Sequence, residues 1–300
     1  MRRGIGSFLL KTAFFVLAVL GLFEILYRRG VWPIISQSAL YDHKMIRLQQ
    51  EPVKKVKIMA MGSSLTLYEL NSEMIVHNFP LPYYNFGSWN LQVSDIYPIL
   101  KELVKEYRPE YVIMCSSVGD FMKPTDSVFQ NFTNTNRFIR RHFPEFFYFR
   151  DYHSLRQLFD RKENGYLIDT DPWGGAFFTM KTINRAKWDM RLDFPTPYTA
   201  IQYRTLDSLC GWLQGQKVKL VYVQAPMKAS YITTPAEQAT ITTHFDTCRS
   251  MVEGHGGVYL NYHNTAIFAD SLFFDQWHLQ ASGGVVLTKE LVADLKTIIK

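Results

Sequence analysis

The feature that most constrains this chain is an alternation, from residue 53 to residue 300, of short apolar runs with longer stretches of helical periodicity. The runs are "VKKVKIMAM" (53–61), "YYNF" (83–86), "YVIMCSSV" (111–118), "VKLVYVQAP" (218–226) and "GGVYLNY" (256–262). Between and after them, residues 64–79, 94–107, 198–216, 236–254 and 283–299 space their apolar residues as helices do, with Pro98 expected in a first turn. A run that stays apolar without alternating is a strand buried on both faces. Strands of that kind, each followed by a helix, imply a parallel sheet covered on both sides. The expected architecture is an α/β, flavodoxin-like three-layer sandwich on a central sheet of about five strands. In such sheets the functional residues gather at the carboxyl ends of the strands.

The alternation does not reach the N-terminus. "FLLKTAFFVLAVLGLFEILY" (8–27) has the length of a bilayer-spanning helix, and its only charges, Lys11 and Glu24, stand near the ends. No small-x-small cleavage pattern follows it, so residues 1–30 read as an uncleaved membrane anchor. A buried helix of a globular body is the other reading of the same residues. Arg2, Arg3 and Lys11 on one side compete with Arg28 and Arg29 on the other. The short tail favours an orientation with the tail inside and the body extracytoplasmic. Residues 31–52 form a juxtamembrane linker, and 53–300 a single domain interrupted by an insertion at about 120–198.

Composition narrows the function classes. A net charge of +6, with no long basic and aromatic tract, argues against nucleic acid. Cys115, Cys210 and Cys248 form no CxxC pair, and the histidines have no metal-ligand spacing. No phosphate-binding glycine loop follows a strand. Neither a metal nor a cofactor is expected.

Two short stretches carry chemistry. In "MAMGSSLTLYEL" (59–70), Ser63 and Ser64 follow Gly62 where the first strand gives way to a helix. A serine there either caps the helix or is a nucleophile set at its positive end. In "FFDQWHL" (273–279), Asp275 precedes His278 by three residues, a spacing that puts both on one side of a helical turn. The carboxylate could then hold one imidazole nitrogen while the other meets a hydroxyl.

Together these blocks resemble the SGNH (GDSL) hydrolase superfamily. "GSSL" (62–65) is similar to its first block, with Ser64 at the nucleophile position and Ser63 where an aspartate usually stands. "NFG" (85–87) resembles the second block, and "DQWHL" (275–279) matches the last. The resemblance implies a catalytic set of Ser64, His278 and Asp275, and an oxyanion hole from the Ser64 and Gly87 amides. The third block departs: "SVGD" (117–120) places Ser117 where a glycine belongs and Gly119 where an asparagine belongs. Losing one such side-chain donor costs on the order of 3 kcal/mol of transition-state stabilisation. Either the Gly119 amide or Ser117 substitutes, or the enzyme is slow, or the site is degenerate. Ser63, Asn85, Ser117 and Asp120 are candidate substrate contacts.

The anchor, "GSS" for "GDS", and the ending from Asp275 to Thr288 fit membrane-anchored branches of that superfamily. Those branches serve teichoic-acid D-alanylation and exopolysaccharide acetylation. The resemblance therefore implies an esterase or O-acyltransferase acting on an acylated surface polysaccharide or another ester, beside a membrane-bound O-acyltransferase. A non-catalytic accessory subunit is the alternative. The insertion carries "NRFIRRHFPEFFYFRDYHSLRQLF" (136–159) and "DPWGG" (171–175). It reads either as a substrate cap using Arg137, Arg140 and Arg141, or as ordinary helices with solvated arginines.

Overall fold

The computed structural model describes residues 2–29, 39–50, 53–122, 143, 170–177, 200–263 and 266–299. The chain divides into two compact units, one holding 1–52 and 131–167, the other 53–130 and 168–300.

In the first unit, α1 (Arg2–Arg28) is a continuous helix whose 25-residue stretch Gly4–Arg28 is long and apolar enough to cross a membrane. Phe8, Leu9, Leu10, Phe14 and Phe15 all stand exposed along it. At its end Arg28 pairs with Glu24 at 2.6 Å, one helical turn apart. A second helix, α2 (Ala39–Gln50), follows in the segment read as a linker.

The second unit holds the sheet. Its strands are β1 (Ile58–Ala60), β2 (Tyr83–Asn85), β3 (Tyr111–Ser116), β4 (Lys219–Gln224) and β5 (Val258–Asn261). They are all parallel, in the order β2-β1-β3-β4-β5, with Ile58 opposite both Tyr83 and Tyr111. The expected flavodoxin-like sheet of about five strands is what forms. From β1 the chain runs to β2 on one side and then to β3 on the other. The crevice between the ends of β1 and β3 is therefore the topological switch point of the sheet.

The strands are short because both faces are buried and each needs only a few apolar residues to cross the core. Ile58, Ala60, Ile113, Cys115, Val221 and Val223 share one apolar cluster with residues of α3 (Ser64–Glu69), α4 (Ser72–Asn78) and α8 (Ala281–Ile298). The remaining helices among the described residues, α5 (Val93–Tyr107), α6 (Ala200–Gly215) and α7 (Pro235–Gly254), pack in sequence beside one another, α6 and α7 lying over β4 and β5.

Three local expectations are corrected. Residues 64–79 are two helices, because Asn71 caps a new one by accepting from the Met74 amide at 3.0 Å. Pro98 lies in the second turn of α5 rather than the first; that helix starts at Val93 on a Gln92–Asp95 capping box. The Asp275–His278 stretch is not helical. It is the tip of a tight loop closed by an antiparallel bridge between Phe273 and Leu279, with the Phe274 amide donating to the His278 carbonyl at 2.8 Å.

Candidate active site

Gly62 ends β1 in a place where a side chain would not fit. A Cβ there would stand 2.0 Å from Thr66 Oγ1. That hydroxyl is in use: it donates to the Cys115 carbonyl at 2.8 Å and accepts the Cys115 amide at 3.0 Å. Thr66 thereby fixes α3 to β3. The chain turns at Ser63, whose Oγ accepts the Leu65 amide as an N-cap and donates to Asp120 Oδ2 at 3.0 Å. Ser64 is the first residue of α3, so its amide has no acceptor within the helix. From residue 61 to residue 70 it is the one position that is not buried.

The C-terminal loop brings His278 to meet it. His278 Nε2 lies 2.8 Å from Ser64 Oγ, and His278 Nδ1 lies 2.8 Å from Asp275 Oδ2. Asp275 Oδ1 accepts the Trp277 amide at 2.8 Å and the His278 amide at 2.7 Å. The carboxylate therefore builds the loop with one oxygen and orients the imidazole with the other. Burial pushes its pKa up, but the hydrogen bonds and charge of His278, with the Trp277 amide, outweigh that and hold it below the usual carboxylate value. Ser64, His278 and Asp275, expected from sequence, form one hydrogen-bonded row.

The third-block residues stand behind this row. Asp120 Oδ2 accepts both the Ser63 hydroxyl at 3.0 Å and the Ser116 hydroxyl at 2.7 Å. Burial raises its pKa to about 6, although the Ser116 and Ser63 hydroxyls and the nearby His278 act the other way. Ser117 caps the 3-10 turn Val118–Phe121, its Oγ accepting the Gly119 amide at 3.3 Å. Asn85 donates to the Thr66 carbonyl at 2.8 Å and accepts the Gly87 amide at 2.8 Å. Ser63, Asn85, Ser117 and Asp120 are all buried. These candidate substrate contacts are each engaged in hydrogen bonds that brace the strand ends. The Gly87 N–H, which the resemblance assigns to the oxyanion hole, donates to Asn85 Oδ1.

Around Gly119 there is space for a Cβ, whose nearest neighbours would be Ser117 Oγ at 3.5 Å and the Trp277 ring at 3.7 Å. The Trp277 indole thus lies over the position where the resemblance calls for an asparagine. On the other flank, Trp89 Nε1 donates to the Tyr68 hydroxyl at 2.6 Å, and the Tyr68 ring meets the His278 ring edge-on with centroids 6.3 Å apart.

The "DPWGG" turn packs on β2 beside Asn85. The Trp173 carbonyl accepts the Asn85 amide at 2.8 Å, and Asp171 Oδ1 accepts the Trp173 and Gly175 amides, so the turn covers the free edge of β2. Arg137, Arg140 and Arg141 lie outside the described residues. Among the described residues, no group of three or more His, Cys, Asp and Glu side chains is placed to hold a metal ion. Cys115, Cys210 and Cys248 are free and buried.

Sequence reasoning missed Glu69, Trp277 and the Trp89–Tyr68 pair. Glu69 is fully buried at the end of α3. Its Oε1 accepts the Leu279 amide at 3.3 Å, its Oε2 lies 3.9 Å from Cys115 Sγ, and burial drives its pKa well above the carboxylate range.

No family model and no curated protein matches the chain in sequence. Among solved structures it is similar to LAE5, an alpha/beta hydrolase enzyme from the metagenome of Lake Arreo, Spain, with 14% identity, a TM-score of 0.43, and 82% of this chain and 97% of that chain covered. It is similar to the lipase/acylhydrolase from Enterococcus faecalis, with 13% identity, a TM-score of 0.43, and coverage of 82% and 97%. It is also similar to Axe2, an acetylxylan esterase from Geobacillus stearothermophilus, with 9% identity, a TM-score of 0.44, and coverage of 81% and 96%.

Proposed function

We propose that this protein is a membrane-anchored SGNH-type serine esterase or O-acyltransferase that acts on acyl esters of a surface or exported polysaccharide. The observation that carries the reading is the row from Ser64 Oγ through His278 to Asp275, with 2.8 Å at each step, placed where the switch-point crevice opens.

In this reading Ser64 Oγ attacks the ester carbonyl while His278 Nε2 takes its proton. Asp275 keeps Nδ1–H facing inward and favours the imidazolium that forms. The tetrahedral oxyanion is met by the Ser64 amide, at the amide-rich start of α3. Collapse breaks the ester C–O bond, and the leaving alcohol departs with the proton from His278. An acyl group then sits on Ser64. His278 next deprotonates either water, releasing the acid and completing hydrolysis, or a sugar hydroxyl, completing transfer to a new ester.

The anchor role rests on α1, and the polysaccharide and the neighbouring membrane-bound O-acyltransferase rest on the sequence resemblance. An extracytoplasmic body would set the site among surface polymers, where tethering raises its local concentration.

A second reading has an observation of its own. The Gly87 amide is held by Asn85 and Gly119 has no side-chain donor, which leaves the oxyanion short of partners and fits a binding subunit that keeps the fold. A serine-reactive fluorophosphonate probe separates the two. Labelling of the wild type and not of Ser64→Ala is expected, and a wild type that takes no label would favour the binding subunit. Acetylated glycans assayed beside a chromogenic acetate ester then distinguish hydrolysis from transfer and report on the polymer.

A further inference from the structure

We propose that Glu69 is the positioning residue for His278, fixing through the Leu279 amide where the imidazole stands relative to Ser64. This rests on the serine-hydrolase reading above. The two residues that must meet come from positions 214 apart in the chain, and Ser64–His278 is itself a bond that breaks and reforms in every turnover. A permanent tie is needed alongside it. Helix α3 supplies one, because it carries Ser64 at its first residue and Glu69 at its last.

The tie reaches the loop at the peptide next to the base. Leu279 N–H donates to Glu69 Oε1, and the same residue closes the loop by bridging Phe273. The tip beyond that bridge is shaped by Asp275, by the Phe274 amide on the His278 carbonyl and by the Lys228 amide on the Gln276 carbonyl at 3.2 Å. The Leu279 amide adjoins His278 directly, so a shift there carries the imidazole with it.

A glutamate suits this task because its side chain spans from α3 to the loop while its carboxyl stays out of water. Charged or ionisable groups facing it are Asp275 on the loop, Asp120 beyond β3 and Cys115 on β3; the two carboxylates oppose its ionisation. Burial raises its pKa, which weakens the negative charge it would add beside Asp275 while Oε1 accepts from Leu279. Below it α8 fixes the end of the same helix, Thr288 Oγ1 donating to the Glu69 carbonyl at 3.1 Å and accepting the Asn71 amide at 2.8 Å.

The test compares full-length Glu69→Gln, Glu69→Leu, Glu69→Asp and Thr288→Val with wild type. It measures the rate of fluorophosphonate labelling, kcat and KM on a chromogenic acetate ester, and Tm. Glu69→Gln keeps a carbonyl acceptor at the same reach and should label within about threefold of wild type. Glu69→Leu and Glu69→Asp should label about tenfold to a hundredfold more slowly, the loss appearing in kcat and not in KM, as misplacing a base by about 1 Å would cause. Thr288→Val loosens the same helix end while leaving the Glu69–Leu279 bond in place, so it should lower Tm and slow labelling far less than Glu69→Leu does.

Wild-type labelling rates in Glu69→Leu or in Glu69→Asp would overturn the proposal. So would slowing in Thr288→Val as deep as in Glu69→Leu, since general loosening would then explain both. Should Glu69→Leu fail to fold, Glu69→Asp against Glu69→Gln decides. If the wild type itself takes no label, the hydrolase reading fails instead. Hydrogen exchange at the Leu279 amide then judges the tie: faster exchange in Glu69→Asp than in Glu69→Gln upholds it, and equal exchange overturns it.

Discussion

Ser63 and Ser64 are neighbours of one type with opposite fates, and the difference lies in what each hydroxyl faces. Ser63 turns inward, caps α3 and donates to Asp120, while Ser64 turns toward His278. Replacing Ser64 by alanine should reduce ester hydrolysis to background without a change in Tm, read by assay and melting together. Asp275→Asn should leave the loop folded but cut kcat by about two to four orders of magnitude, because an amide can stabilise the wrong imidazole tautomer.

Asp120 gives a prediction in pH. Its carboxyl stands at about 6 against an ordinary 3.8, so the folded chain keeps a proton that the unfolded chain releases. The stabilisation this brings is complete below the ordinary value and is lost as pH rises through about 6, to the extent of roughly 3 kcal/mol. Relative to Asp120→Asn, the wild type should therefore lose unfolding free energy across that window. Denaturant melts at several pH values check it, and parallel curves for the two proteins would refute it. That Ser64, Asp275 and His278 come together was legible in the sequence, because the Asp275–His278 spacing and the two blocks that carry them and Ser64 are tied to residue type. Glu69 was not, since a glutamate in an amphipathic stretch reads as a solvated face, and only three dimensions show the β3 strand and the C-terminal loop closing over it.

At the scale of elements, the strands were readable and the breaks between helices were not. Five apolar runs became five strands because continuous burial demands continuous apolar residues. Residues 64–79 kept helical periodicity through a break at Leu70, because Asn71 restarts the helix without disturbing which residues face the core. The Asp275–His278 spacing misled in the opposite direction: a helical turn and a loop closed on an aspartate both bring residues three apart together. The β1–α3 junction is the most exacting of these elements. Gly62→Ala would press a methyl against Thr66 Oγ1 and so break the clamp on Cys115. Overpacking of this kind should cost roughly 1–3 kcal/mol, and the variant should also label more slowly with the fluorophosphonate. Gly119→Ala is the contrast, because its Cβ would meet only ordinary contacts at 3.5 Å and beyond. It should melt within a few degrees of wild type.

For the whole molecule, α1 and the sheet-bearing unit make separate demands on solvent. A helix with Phe8, Leu9, Leu10, Phe14 and Phe15 exposed along its length gains little from water and much from lipid. The full chain should partition into the detergent phase of a cloud-point separation. A version lacking residues 1–29 should move to the aqueous phase and still label at Ser64; retention in detergent would count against the anchor.

The parallel sheet also draws Ser64 and His278 together from positions 214 apart, one beside β1 and the other just before α8. Contacts of such long sequence separation are among the slowest to form. Ser64 therefore stays an ordinary serine until the loop that carries His278 has docked, and any reactivity the pair has is deferred to the late steps of folding.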